Sequence, residues 1–387
     1  MLYRLFTKVG LEHFALGLQL PILIALPLSR GLSLAQIGTL EAILAVVLFC
    51  FEVPSGYVAD RFGRKYAMAM SSIAFAVSYG LFATAHNFTG FIVPFMLMGI
   101  GFAMLSGADE AYLFDSLKEQ KQETQYKRWY GRLTIVDELV TIVGLGVSTA
   151  VVHFFAPATV FVFASATMLV TAGFTLVFLR EARTHSKEPK STVQAFEQEP
   201  VSVVKLGIRF LKTHASFSIV LFAFALLDES GRLLWQPRML DLGFTISVLG
   251  LIYAGLKVFS IIGAWISGNL NGKIGRVHFF GVGVLAAISF ALVGFGNVYV
   301  AMGGLALYFL IENAFRVFRS EYLNERVESK YRATFLSLNS FSTQTFAALF
   351  VVGLGAVADQ RLIYGFLLLF GVKLIASIAS LALPKHA

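Results

Sequence analysis

Long apolar runs recur along the whole chain, separated by short polar connections. A helix of about 20 apolar residues crosses the roughly 30 Å hydrocarbon layer of a membrane, and the sequence contains twelve runs of about that length. We number them segments 1 to 12; they lie near residues 8–29, 34–58, 65–86, 89–115, 132–154, 157–180, 214–239, 246–270, 277–297, 299–320, 333–357 and 361–383. Because a backbone in lipid must satisfy its hydrogen bonds internally, these runs predict an all-α integral membrane fold with twelve transmembrane helices.

One polar stretch divides the twelve segments into two sets of six. Residues 181–213 contain prolines and many charged side chains. We therefore predict an N-terminal six-helix bundle over 1–180, a cytoplasmic linker over 181–213 and a C-terminal six-helix bundle over 214–387. The end of the linker, 201–212, has amphipathic spacing and is predicted to lie on the membrane surface.

A glycine-punctuated basic motif occurs once in each half. Between segments 2 and 3 the chain reads Gly-Tyr-Val-Ala-Asp-Arg-Phe-Gly-Arg-Lys over 56–65, and a weaker copy occupies 268–276 between segments 8 and 9. Glycine permits a tight turn, and lysine and arginine are retained in cytoplasmic loops. The repetition predicts two pseudo-symmetric bundles, each with a short cytoplasmic loop between its second and third helices.

The positions of lysine and arginine predict the orientation of the chain. Placing the amino terminus in the cytoplasm puts nearly all loop bases on that side, including Lys8 at the start of segment 1. It leaves Arg30, Arg238 and Arg361 outside. We therefore predict a multi-pass protein of the cell (inner) membrane with both termini in the cytoplasm.

The composition excludes several classes of protein. Hydrophobic residues make up 57% of the chain and charged residues 14%, which is more apolar surface than a soluble core can hide. The net charge of +8 does not predict nucleic-acid binding, because the bases alternate with apolar runs instead of forming one patch. A single cysteine, Cys50, excludes an internal disulfide. The sequence has no metal-ligand spacing, nucleophile motif or nucleotide-binding loop, so we expect neither an enzyme nor a cofactor or metal site.

Ionisable residues inside the segments point most directly to function. A charge that faces hydrocarbon costs at least about 2.5–3.5 kcal/mol, so such residues normally face a cavity or one another. The acids are Glu12, Glu41, Glu52, Asp109, Glu110, Asp137, Glu138, Asp228, Glu229 and Glu312. They outnumber the bases, which are Arg232, Lys257, Arg316 and Lys373. This excess of acids favours proton transfer, a cationic substrate, or both.

Segment 7 places charged, polar and aromatic side chains on shared faces. Asp228, Arg232 and Trp235 repeat at i, i+4 and i+7. Glu229 and Gln236 form the adjoining stripe. These positions are predicted to face a cavity.

Segment 10 has a similar pattern. Tyr308, Glu312 and Arg316 repeat at i+4 and share one face. Two interpretations are open for the charges of segments 7 and 10. They are either ion pairs that fix the packing of the helices, or groups that handle substrate or protons.

Segments 4 and 5 each contain a pair of adjacent acids, Asp109 with Glu110 and Asp137 with Glu138. Adjacent residues point about 100° apart on a helix, so at most one of each pair is expected to face a central cavity squarely. We expect Asp109 to bind the transported proton in the N-terminal bundle, with Glu110 as the alternative. Glu12 on segment 1 is a second candidate.

The motif at 56–65 resembles the signature loop of the major facilitator superfamily, and the resemblance extends over the whole chain. The matching positions are Gly56, Asp60, Arg61, Gly63, Arg64 and Lys65. The resemblance implies two bundles around a cavity lined chiefly by helices 1, 4, 7 and 10. It also implies a conformational latch, in which loop charges and an acid at the inner end of helix 4, here Asp115, hold the halves together when the cavity faces outward.

The second copy of the loop departs from the pattern of this family. Its matching positions are Gly268, Lys273, Gly275 and Arg276, but Gly272 stands where an acid is expected. We therefore expect an asymmetric latch that is weaker in the second half. Segment 5 lacks the proline of the drug-antiporter signature, whereas other stretches resemble bacterial members often described as drug or metabolite exporters.

These patterns lead to a functional hypothesis, the proton-coupled export of a small amphipathic compound, cationic or zwitterionic, by alternating access. The predicted proton-coupling residues are Glu12, Asp109, Glu110, Asp228, Glu229 and Glu312. The predicted substrate-binding residues are Asp228, Glu229, Arg232, Trp235, Gln236, Tyr308, Glu312 and Arg316. Import of a polar nutrient and a non-transporting receptor or scaffold are the alternatives. We expect the protein to be a monomer whose partners are a small-molecule substrate, protons and membrane lipid.

Overall fold

The computed structural model describes residues 2–180, 231–269, 275–326 and 332–382. Within these ranges the chain consists of helices and short connections, without strands. Ten helical stretches among the described residues are long and apolar enough to cross a membrane. Segment 7 is described only from residue 231 onward, and within segment 11 the apolar helix found among the described residues is the shorter Phe346–Gln360, so both spans remain predictions. The finding confirms an all-α membrane fold.

The helices of the first half follow the predicted segments closely. They are α1 (Leu2–Gln19), α2 (Ala25–Ser29), α3 (Leu34–Phe62), α4 (Arg64–Thr84), α5 (Phe88–Leu105), α6 (Ala108–Glu119), α7 (Tyr126–Phe154) and α8 (Thr159–Phe178). Segment 1 is divided into α1 and α2 by a 3-10 turn at Leu20–Ile22. Pro21 lies in this turn, and its missing N–H interrupts the helical hydrogen-bond pattern. Segment 4 is divided into α5 and α6.

The described helices of the second half begin with α9, which covers residues 231–241. They continue with α10 (Leu249–Gly268), α11 (Arg276–Phe295), α12 (Val298–Arg326), α13 (Arg332–Gln360) and α14 (Leu362–Ser380). The described residues divide into two compact units. Unit 1 contains residues 2–180 and 243–254, and unit 2 contains 231–242 and the described residues from 255 onward. The predicted linker, 181–213, lies outside the described residues, so its boundaries stay a prediction.

The two units repeat the same local packing. In unit 1 the third segment, α4, packs against α5 and α8. In unit 2 the ninth segment, α11, packs against the corresponding helices α12 and α14. The helix that follows each glycine-punctuated motif therefore contacts the next helix and the last helix of its own half. This packing agrees with the predicted pseudo-symmetry.

The first glycine-punctuated loop is as tight as its sequence predicts. Helix α3 ends at Phe62 and α4 begins at Arg64, so a single residue, Gly63, connects them. Gly63 has φ +103°, a backbone conformation that side chains with a Cβ avoid. The corresponding turn in unit 2, 270–274, lies outside the described residues.

An arginine binds the end of a neighbouring helix in each unit. In unit 1, Arg30 donates from Nη1 to the Phe82 carbonyl at 3.1 Å, from Nη2 to the Ala83 carbonyl at 2.8 Å, and to the Ala85 carbonyl. These carbonyls belong to the last turn of α4 and to Ala85, the residue that follows it, where helical carbonyls lack partners within the helix. The positive charge also complements the negative end of the helix dipole.

Arg238 does the same in unit 2. Its Nε donates to the Val293 carbonyl at 3.0 Å and its Nη2 to the Gly296 carbonyl at 3.1 Å, at the end of α11. Two of the three arginines that sequence analysis placed outside are therefore equivalent caps. Each lies at the end of the first segment of its half and binds the end of the third.

Replacement of Arg30 by glutamine should lower the free energy of unfolding by about 2 kcal/mol, because hydrogen bonds to a charged group contribute about 1.5–3 kcal/mol. The measurement is thermal unfolding of the purified protein in detergent. Arg361→Gln is the matched control: Arg361 is exposed and lies 6.0 Å from the ring centre of Tyr364, so its loss should cost under about 1 kcal/mol. Equal losses for both variants would contradict the capping role.

Candidate functional site

A break in segment 4 positions the first pair of adjacent acids. Helix α5 ends at Leu105 and α6 begins at Ala108. Between them Gly107 has φ +69°, a left-handed conformation that favours glycine. Asp109 and Glu110 therefore lie in the first turn of a new helix, where the helix dipole favours negative charge. Sequence analysis predicted one unbroken helix here.

Asp109 belongs to a buried cluster with Lys8 and Glu12, which we call the lysine triad. The Lys8 ammonium donates to Glu12 Oε2 at 2.6 Å and to the two carboxylate oxygens of Asp109 at 2.7 and 3.0 Å. Lys8 and Glu12 lie one turn apart on α1, whereas Asp109 comes from α6. The triad therefore joins the first segment to the broken fourth segment.

The triad is shielded unevenly from solvent. The side chains of Lys8 and Glu12 are fully buried, whereas that of Asp109 remains 18% exposed. One ammonium faces two carboxylates, so the triad has a net charge of −1 when all three groups are ionised. Glu12 Oε1 is buried without a hydrogen-bond partner among the described residues. The triad thus retains both an unbalanced charge and a free acceptor.

Glu110 points away from the triad. It is exposed, and its Oε1 accepts a hydrogen bond from the Tyr130 hydroxyl of α7 at 3.0 Å. The two adjacent acids therefore have different surroundings, as their angular separation on a helix requires. Asp109 faces the interior of unit 1 and Glu110 faces its surface.

The acids of α7 are also separated. Asp137 pairs with His13 of α1, and both side chains are partly exposed. Glu138 is half-buried. His13 and Asp137 lie on the same two helices that approach each other closely at Gly17 and Gly144. The contact between His13 and Asp137 adds a polar interaction to this packing.

Unit 2 contains the pair predicted on segment 10. Arg316 Nη2 lies 3.2 Å from Glu312 Oε1, with Arg316 64% exposed and Glu312 17% exposed. Trp235 and Tyr308, in contrast, are almost fully buried inside the unit, and Tyr308 lies directly against Gly231.

The structure describes only some of the other predicted substrate-binding residues. Gln236 is buried and Arg232 is half-buried. Asp228 and Glu229 lie outside the described residues. The substrate-binding role of segments 7 and 10 therefore stays a prediction.

The latch residues predicted from the family resemblance lie near one another in unit 1. Arg64 Nε lies 2.8 Å from Asp115 Oδ2, and the two side chains are 15% and 16% exposed, respectively. Arg61 lies over the rings of Tyr57 and Phe62. The ion pair joins the start of α4 to α6.

The remaining latch residues are described unevenly. Lys65 lies 5.8 Å from the ring centre of Tyr66. Gly56 lies inside α3, Gly268 ends α10 and Gly275 precedes α11. Arg276 donates to the Leu381 carbonyl at 3.4 Å. The side chain of Asp60 and all of Lys273 lie outside the described residues.

Lys8 is the site residue that sequence analysis missed. It was grouped with the cytoplasmic bases because it stands at the edge of segment 1. Its i, i+4 spacing from Glu12 was the available signal, since such pairs meet on one helix face. Its contact with Asp109, 101 residues away, could not be read from spacing.

Of two curated relatives, one is named as a transporter and the other is named for drug resistance. The sequence is 23% identical over 338 residues to the uncharacterized MFS-type transporter YxaM of Bacillus subtilis (strain 168), covering 86% of this chain and 82% of the relative. It is 25% identical over 229 residues to the quinolone resistance protein NorA of Staphylococcus aureus (strain MRSA252), covering 57% of this chain and 54% of NorA.

Solved transporter structures share the fold. The structure of the nucleoside transporter NupG matches with a TM-score of 0.82 at 13% identity, covering 100% of this chain and 99% of NupG. At this identity the likeness shows the fold alone. The sequence model of the Major Facilitator Superfamily matches residues 9–352, which is most of the chain. This protein is therefore a multi-pass membrane transporter that belongs to the Major Facilitator Superfamily.

Proposed function

We propose that the protein is a proton-coupled secondary transporter that exports a small amphipathic compound, cationic or zwitterionic, by alternating access. The lysine triad is the observation on which this proposal rests. A protein interior tolerates charge only when it is balanced, and the triad has one carboxylate more than it has ammonium groups. One proton removes the imbalance.

Asp109 is the member of the triad best placed to exchange that proton. It is partly exposed, whereas Glu12 and Lys8 are fully buried. Protonation of Asp109 leaves Lys8 paired with Glu12, and the buried pair is then neutral. Loss of the proton draws the Asp109 carboxylate to Lys8 and pulls the first turn of α6 towards α1. Proton binding is in this way linked to the position of α6.

The direction of transport is proposed from a relative. NorA is named for quinolone resistance, which favours export, and quinolones are small amphipathic compounds. A proton-coupled importer of a polar nutrient is the second candidate, since NupG is a nucleoside transporter of the same fold. In either case the two bundles would move around a midplane site, as in other secondary transporters.

Everted membrane vesicles test both the coupling and the direction. The vesicle interior is acidified, and a fluorescent zwitterionic quinolone is added outside. We expect an exporter to accumulate the quinolone inside in exchange for protons. A proton-coupled importer would instead drive the compound out. Accumulation that is the same with and without the pH difference would contradict the proposal.

The Asp109→Asn variant should lose pH-driven accumulation at least several-fold. The substitution leaves Lys8 and Glu12 as a balanced pair, so the protein should still fold. Glu119→Gln is the matched control, because it removes one exposed carboxylate from the end of the same helix. Vesicles with equal amounts of each variant should show full accumulation for Glu119→Gln. If quinolone accumulation by the Asp109→Asn variant still depended on the pH difference, Asp109 would be excluded as the proton site.

A further inference from the structure

A second group of acids on unit 1 differs from the lysine triad in having aromatic neighbours and access to solvent. We call it the acid–tyrosine surface and define it as Glu110, Tyr126, Tyr130 and Asp137. Its residues come from the first turn of α6 and the first half of α7. None of them belongs to the triad.

The sequence places these side chains together in a simple way. Tyr126, Tyr130 and Asp137 lie at i, i+4 and i+11 on α7, so they share one face of the helix. The break at Gly107 places Glu110 in the first turn of α6, beside that face. The Tyr130 hydroxyl then donates to Glu110 Oε1 at 3.0 Å.

The tyrosine rings form an aromatic wall next to the Glu110 carboxylate. Tyr126 and Tyr130 stack with ring centres 5.8 Å apart and planes 20° apart. Phe114 packs edge-on against Tyr126 at 5.8 Å. These contacts hold the rings in place before any ligand binds.

The carboxylate of Glu110 gives the surface its negative charge, whereas Asp137 is paired with His13. Burial and the nearby charge of Glu110 raise the pKa of Tyr126, and Tyr130 lies within electrostatic range of both Glu110 and Asp137. The partner of Glu110 is a neutral hydroxyl, which orients the carboxylate without cancelling its charge. Arg132 lies over the Trp129 ring at 4.9 Å, on another face of α7.

A small molecule can reach this surface. Glu110 is exposed, and Tyr130 and Phe114 are 38% and 40% exposed. Glu110 lies within one of the apolar spanning stretches, Phe88–Glu119, and a carboxylate in contact with lipid there would cost at least about 2.5–3.5 kcal/mol. The surface is therefore expected to face water.

We propose that the acid–tyrosine surface binds the cargo, and that the cargo is a lipophilic organic cation with aromatic groups. Its positive charge would lie against the Glu110 carboxylate and the face of Tyr130, a pairing that aromatic rings and carboxylates both favour. This inference rests on the proposed transport function and names the class of compound. It also separates two roles between neighbouring residues: Asp109 binds the proton and Glu110 binds the cargo.

Tetraphenylphosphonium is a suitable probe because it is permanently charged and does not titrate. Tetraphenylborate has the same shape and the opposite charge. Binding of both radiolabelled ions to the purified protein in detergent is measured at pH 8, with protein-free micelles as the background. We expect saturable binding of the phosphonium ion and none of the borate ion above background. Equal binding of the two ions would overturn the proposal.

Three variants locate the site. Glu110→Gln should weaken phosphonium binding at least about tenfold, the change that 1.4 kcal/mol produces. Tyr130→Leu should weaken it about fivefold through loss of the cation–π contact. Tyr130→Phe keeps the ring and should change it less than Tyr130→Leu does.

The control for these variants is Glu119→Gln, which removes the same charge from the far end of α6 and should leave binding unchanged. Thermal unfolding of each variant shows whether it is folded. If Glu110→Gln proves unfolded, Tyr130→Leu tests the same site. Unchanged binding in folded Glu110→Gln or Tyr130→Leu protein would overturn the proposal.

The binding assay uses one pH and no gradient, so it is independent of proton coupling. Phosphonium binding could depend on Glu110 while quinolone accumulation in vesicles does not respond to the pH difference. That result would reject the proposed proton coupling and keep the binding site. Conversely, the pH difference could drive quinolone accumulation while Glu110→Gln leaves phosphonium binding unchanged. That result would reject only the binding site proposed here.

Discussion

Replacement of Lys8 by methionine is expected to be the most damaging single substitution in the described part of the chain. It leaves the buried carboxylate of Glu12 and the partly exposed carboxylate of Asp109 without their shared cation. Removal of one partner from a buried charge pair costs about 3–5 kcal/mol. We expect a loss of this size in the free energy of unfolding, measured by thermal or denaturant unfolding in detergent.

A triple variant tests whether unpaired charge explains the loss of stability in Lys8→Met. In a triple variant with Lys8→Met, Glu12→Gln and Asp109→Asn, no buried charge remains, and side chains of similar size fill the same space. We expect most of the lost stability to return, since neutral replacements of buried ion pairs are often tolerated. Acidification should also recover part of the stability of the single variant, because protonated carboxyls need no cation. A triple variant as unstable as Lys8→Met would show that packing, and not charge, explains the loss.

Replacement of Gly144 by alanine is expected to separate α1 from α7. A Cβ at Gly144 would lie 2.6 Å from the Phe14 carbonyl oxygen and 3.0 Å from the Cα of Gly17. These are backbone atoms, which cannot move aside as a side chain can. Overpacking of this kind costs about 1–3 kcal/mol and occasionally more. The thermal stability of the variant in detergent should fall accordingly.

Gly146 provides a matched control on the same helix. A Cβ there meets nothing within 4 Å, so Gly146→Ala should gain about 0.5–1 kcal/mol from the better helix propensity of alanine. The two alanine variants should therefore shift stability in opposite directions. Losses of similar size at both positions would contradict the close approach of α1 and α7.

The two expectations concern one structural region. Helix α1 contributes Lys8 and Glu12 to the triad and His13 to the contact with Asp137, and the glycine contact holds α1 against α7. If α1 separates from α7, the ionisable groups of unit 1 lose their fixed positions. Transport assays of Gly144→Ala should therefore be interpreted only beside its stability.

Sequence analysis could predict the helices and the tight turn because these features depend on residues that are close together in the chain. The length of an apolar run decides whether it can cross a membrane, and that length is visible in the sequence. The tight turn at Gly63 followed from the glycine and the bases around it. The i, i+4 pairing of Glu312 with Arg316 was visible for the same reason, since residues one turn apart share a helix face.

The break in segment 4 shows where local patterns fail. The apolar run continues up to Ser106, and a lone glycine in such a run usually remains helical. Here Gly107 adopts a left-handed conformation, and the helix is interrupted between Leu105 and Ala108. Which of Asp109 and Glu110 meets Lys8 depended on this break, so sequence spacing could not decide it.

The sequence by itself determined that this chain is a helical membrane protein with two repeated halves and an excess of acids inside its apolar segments. Only the tertiary structure decided the partners of Asp109 and Glu110. Lys8 meets Asp109 across 101 residues of chain, and the Tyr130 hydroxyl meets Glu110 between two helices. Helix formation depends on neighbours along the chain, whereas the pairing of charges depends on how separate helices pack.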